Sequence, residues 1–161
     1  MMRYTNLFGL GILTAALALT GCENKGDPTK SGDKKSSHAD DHAHGKGPNG
    51  GVVFDLGKYH AEFTVDHDKK QCTVLLLGGD EKTPKAVSAD EFILTTKETK
   101  TKDGKVVPPM TIKLAPPAGE AKDGKASKFV GTDPGLGNVA DFEGTVAGEI
   151  AGKPSSGEFK E

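Results

Sequence analysis

The strongest pattern along the chain is a strict alternation of apolar and polar positions from Lys58 to Asp66. Tyr59, Ala61, Phe63 and Val65 fall on one face of an extended strand, and His60, Glu62 and Thr64 on the other. A second run, Gln71 to Leu77, follows the polar loop at 67–70 and stops at Gly78-Gly79. So short a loop makes a hairpin, and matching the apolar faces predicts the pairs Val65–Cys72, Phe63–Val74 and Ala61–Leu76. Further strands are expected at Phe92–Thr96 and around Ile112, where Met110, Ile112 and Leu114 alternate with Thr111 and Lys113. Another is expected through Val146 and Ile150, turning at Gly152-Lys153-Pro154 toward Phe159. No segment sustains a helical period, and Leu136 to Phe142 can form one short turn at most. Turn signals recur at Asp103-Gly104, Asp123-Gly124 and the Pro-Pro pairs at 108–109 and 116–117. Residues 51–161 therefore read as an all-β domain, an antiparallel immunoglobulin-like β-sandwich, with a small open barrel as the alternative.

What precedes residue 51 is of another kind. Arg3 is followed by an apolar run from Leu7 to Leu19, too short to span a bilayer core of ~30 Å but suited to a secretion signal. The run ends in Leu19-Thr20-Gly21-Cys22, which resembles the lipobox of bacterial lipoproteins. That resemblance implies a signal peptide over 1–21, cleavage before Cys22, acylation of Cys22, and a protein anchored by lipid in the cell envelope, facing the periplasm or the exterior. Residues 22–50 then hold only Cys22, Ala39 and Ala43 from the apolar set, with balanced charge. Such a stretch buries too little surface to offset its ordering entropy, so it reads as a disordered tether reaching roughly 30 Å.

Composition narrows the function more by exclusion than by indication. The chain has 161 residues, 21 basic against 23 acidic, so no basic footprint for nucleic acid is present. Gly-x-Ser-x-Gly is lacking, and the phosphate-loop likeness at 119–126 ends in Ala126 where Ser or Thr is needed. Cys72 and His60 fall on opposite faces of the hairpin, which separates the one pair that resembles a nucleophilic dyad. Cys72 reads as a buried, inert thiol. The expectation is a protein that is not an enzyme.

Candidate chemistry lies in the histidines. His38, His42 and His44 stand beside Asp40 in the tether, and imidazole with carboxylate suits copper or zinc. His60 and Glu62, two apart on the polar face of one strand, can touch one cation together, with His42 or His44 folding back to add ligands. The competing expectation has His60 bonded to a cross-strand neighbour such as Thr73 or the Leu77 backbone.

The run from His42 to Phe63, through His44-Gly45-Lys46-Gly47-Pro48-Asn49-Gly50-Gly51, resembles a segment of small bacterial envelope lipoproteins of unassigned function. It is also similar to a His-Gly-Gly segment of periplasmic adaptor subunits of heavy-metal efflux pumps of the resistance-nodulation-division type. Those proteins usually have His where this chain has Asn49. Two readings follow. One is a lipid-anchored envelope protein that binds copper or zinc weakly, in metal homeostasis or efflux. The other is an interaction module that docks an envelope partner through an edge strand, with no metal role.

Overall fold

The structure is a computed structural model, and it describes residues 44–161. The expected signal peptide at 1–21, the expected lipidation site Cys22 and the candidate ligands His38, Asp40 and His42 lie outside the described residues. In chain order the strands are β1 Val52–Leu56, β2 Tyr59–Asp66, β3 Gln71–Leu77, β4 Phe92–Thr96 and β5 Thr99–Lys100. They continue with β6 Val106–Val107, β7 Thr111–Leu114, β8 Lys128–Thr132, β9 Glu143–Ile150 and β10 Lys153–Lys160, with one 3₁₀ turn at Pro134–Gly137. Among the described residues no helix is long and apolar enough to cross a membrane.

The β2–β3 hairpin forms in the expected register, with Val65 opposite Cys72, Phe63 opposite Val74 and Ala61 opposite Leu76. Two strands absent from the sequence reading complete this sheet. β1 pairs with β2, and β8 pairs with β3, to give the order β1-β2-β3-β8. The second sheet runs β10-β9-β4-β7, every pairing antiparallel. β5 and β6 make a separate ribbon around the Asp103-Gly104 turn. The architecture is an antiparallel β-sandwich, not closed into a barrel.

Burial explains the layering. Ala61, Phe63, Cys72, Val74 and Leu76 on the inner face of the first sheet are fully buried, as are Phe92, Leu94, Leu114 and Val146 from the second. Rings meet across the layers, Phe63 against Phe159 at 4.1 Å and Phe92 edge-on to Phe129 at 4.7 Å between centroids. Cys72 sits in this core with its thiol 3.7 Å from the Gly131 carbonyl, and burial pushes its pKa up to about 12. The seams between the sheets are engaged as well. Ala115 and Val130 exchange backbone hydrogen bonds beside β7 and β8, and the Gly57 N–H donates to the Ser156 carbonyl between β1 and β10.

Composition placed residues 44–50 in the tether, yet these residues lie against the outer face of the first sheet. Lys46 bridges Val52, and the Gly47 N–H donates to the Gly51 carbonyl. The physical reason is Glu62. Its carboxylate, only 1% exposed, accepts from Asn49 N–H at 2.8 Å, Asn49 Nδ2 at 2.8 Å and Gly51 N–H at 2.9 Å. A charge buried beneath a turn is tolerated when donors converge on it, and here they hold the turn down. Position 47 has to be glycine for this closure, because a β-carbon there would stand 2.4 Å from Glu62 Cδ.

Candidate metal centre

The folded-back segment brings His44 to the β1–β2 hairpin. That hairpin closes through a two-residue turn, Gly57-Lys58, in which Gly57 takes φ +64° and Leu56 pairs with Tyr59. Glycine at the first turn position is what the type II′ geometry wants. The next pair outward is Asp55 and His60, so their side chains share the outer face. His44, Asp55 and His60 each offer one ligand atom, all within 4.8 Å of one another, and this group could hold a metal ion.

The orientation of the two imidazoles carries more information than their proximity. His60 Nδ1 lies 3.1 Å from the Gly78 carbonyl, which can only accept, so Nδ1 is the protonated nitrogen. His44 Nδ1 lies 3.0 Å from Glu81 Oε1, an acceptor when ionised. The neutral His60 ring therefore keeps a lone pair on Nε2, and the Nε2 atoms of both rings point at one side chain. They face the two oxygens of one carboxylate: His44 Nε2 is 3.5 Å from Asp55 Oδ2, and His60 Nε2 is 3.4 Å from Asp55 Oδ1. Lone pairs turned toward a carboxylate repel it unless a cation, a proton or a metal, stands between them. Histidine ligands commonly donate their second ring N–H to a carboxylate or a backbone carbonyl, and the Nδ1 atoms of His44 and His60 lie beside one of each.

The side chains are 14% (His44), 21% (His60) and 29% (Asp55) exposed, so the group is shielded without being sealed.

The loop after β3 supplies both outer acceptors. Asp80 ties it together, accepting from the Thr83 hydroxyl at 2.5 Å, Thr83 N–H at 3.0 Å and Lys82 N–H at 3.2 Å. The Thr83 hydroxyl, with these backbone donors, holds the Asp80 carboxyl down at about 2. The Gly78 N–H donates to the Thr83 carbonyl and the Glu81 N–H to the Gly78 carbonyl, which aims the Glu81 side chain back over the hairpin.

Of the residues expected from sequence, His44 and His60 come together here. Glu62 shares the face of His60, but both of its oxygens are taken by Asn49 and Gly51, which commits it to the turn. The expected partners of the His60 side chain, Thr73 or the Leu77 backbone, are not the one found: its Nδ1 bonds the Gly78 carbonyl just past the end of β3, with Nε2 turned toward Asp55. Asp55 and Glu81 were not anticipated. Asp55 was legible in principle, since Asp-Leu-Gly-Lys-Tyr-His around a Gly-Lys turn sets residues 55 and 60 opposite each other. Glu81 had no such signal. His67 lies elsewhere, its Nδ1 2.8 Å from the Leu136 carbonyl.

Compared with known proteins, the chain is matched by no family model, no curated protein and no solved structure.

Proposed function

We propose that this chain is a lipid-anchored envelope protein that binds a divalent transition metal through His44, Asp55 and His60. The observation that carries the metal reading is the convergence of the His44 and His60 Nε2 atoms on the Asp55 carboxylate. Two imidazoles and one carboxylate suit zinc, with copper as the competing ion. Three protein ligands and an open fourth position suit capture and release better than permanent structural binding. Affinity is accordingly modest, and a role in envelope metal homeostasis fits a site half open to solvent. The anchor rests on Leu19-Thr20-Gly21-Cys22 alone. No catalytic role is proposed, because Asp55 and the histidines face no nucleophile.

Docking through an edge strand is less favoured, since both seams of the sandwich are already bridged at Gly57–Ser156 and Ala115–Val130.

Calorimetric titration of the processed protein with Zn(II) and Cu(II) tests the proposal. One equivalent of zinc should bind to wild type, and His60→Ala or Asp55→Asn should weaken it by about 100-fold or more. A variant with His38 and His42 replaced by Ala reports whether the tether contributes the fourth ligand. Zinc binding that survives His60→Ala and Asp55→Asn unchanged defeats the assignment of the site.

A further inference from the structure

Glu81 ends a turn, its N–H donating to the Gly78 carbonyl, and takes φ +57°, as Lys70, Asp123 and Ala151 do at other turns. What distinguishes Glu81 is where its side chain ends: Oε1 lies 3.0 Å from His44 Nδ1 and 3.6 Å from His60 Nε2. The loop itself closes without the Glu81 side chain, through Asp80 and the Gly78–Thr83 backbone bond.

His44 stands between two carboxylates. A neutral imidazole has one N–H to give, and the candidates are Glu81 on the Nδ1 side and Asp55 on the Nε2 side. If the proton went to Nε2 it would point at Asp55 and occupy the place of the metal. A free imidazole in water prefers that Nε2–H form. The Nδ1 contact is the shorter by half an ångström and lies within hydrogen-bonding range, whereas 3.5 Å on the Nε2 side lies beyond a good bond.

We propose that Glu81 is a positioning residue that fixes His44 in its Nδ1–H tautomer, keeping the Nε2 lone pair free beside Asp55 for a metal ion. The purpose of this arrangement rests on the metal reading above; the tautomer itself does not. Gly78 plays the equivalent part for His60 through a backbone carbonyl, which no side-chain substitution can remove. Glu81 is thus the one outer acceptor of the pair that mutation can test.

The test uses the processed protein without metal, at a pH where the rings are neutral. Long-range ¹H–¹⁵N correlation spectra should show His44 as the Nδ1–H tautomer in wild type and as the Nε2–H tautomer in Glu81→Ala. Glu81→Gln keeps an oxygen acceptor and should restore the wild-type pattern. Zinc affinity should fall roughly 10–100-fold in Glu81→Ala, the range seen when a histidine ligand loses its outer partner, and less in Glu81→Gln. Glu81→Gly, which relieves the left-handed strain, should melt at or above the wild-type temperature while showing the same tautomer switch as Glu81→Ala. A residue serving only the fold would lower the melting temperature instead. His44 found as Nε2–H in wild type, or unchanged in Glu81→Ala, overturns the proposal. A correct tautomer pattern in a protein that binds no zinc leaves the positioning role supported and removes the metal reading.

Discussion

His60 and Glu62 stand two residues apart on one face of β2, and the chain treats them in opposite ways. Glu62 is sealed under the turn at 47–51 with both oxygens saturated by Asn49 and Gly51, while His60 keeps its Nε2 lone pair turned toward the Asp55 carboxylate. Strand alternation put both on the same side. What lies over each of them decided their chemistry. Where the covering segment brings N–H donors, a carboxylate becomes structure; where it brings a second imidazole, the same face becomes a candidate ligand set. Cys72, on the inner face of β3, marks the limit of the sealed case.

The sharpest way to break this contrast is Glu62→Ala. It leaves three donors without their buried acceptor and should destabilise the domain by about 3–5 kcal/mol. Chemical denaturation measures it, and a loss under about 1 kcal/mol would show that water serves the turn equally well. His60→Ala should do the reverse. Folding stability should change by less than about 1 kcal/mol, while zinc affinity drops about 100-fold, equivalent to ~2.7 kcal/mol. Melting curves with and without zinc separate the two quantities, and equal stabilisation of variant and wild type by zinc contradicts the site.

The smallest effect concerns Cys72 and its pH dependence. Its thiol is raised from 9.0 to about 12 in the folded state. The stability tied to the protonated thiol is fully present below the unfolded value and is lost as pH rises from about 9 toward 12. The unfolded chain then releases a proton that the folded chain retains. Comparing wild type with Cys72→Ala between pH 8 and 10 should reveal an extra decline, reaching at most about 1.4 kcal/mol per pH unit, in the wild type alone. Parallel pH profiles would place the thiol in contact with solvent.

Legibility in the sequence followed the same division. The β2–β3 register was readable because the apolar set on each strand has a clean period of two. β1 was not, since Val53 and Phe54 are adjacent and both buried, which breaks the alternation. Losing β1 meant losing Asp55, the centre of the ligand set. β8 hides for a related reason: Gly131 interrupts it where Ile112 and Leu114 come close. His44 looked like tether because the residues around it are small and polar. Its place is set by Glu62, a tertiary acceptor 18 positions along the chain that no local pattern announces. Glu81 depends on a left-handed backbone at a non-glycine residue, which propensity argues against.

The passage of β10 behind the hairpin extends the reach of the site in another way. A β-carbon at position 157 would stand 1.8 Å from the Asp55 carbonyl oxygen, so residue 157 can carry no side chain without prying β1 away from β10. The Asp55 carboxylate projects from that same short stretch of backbone. A side chain at position 157 would therefore displace the backbone that carries the Asp55 carboxylate. Sensitivity to substitution thus extends to the second sheet, at a residue outside the His44–Asp55–His60 group.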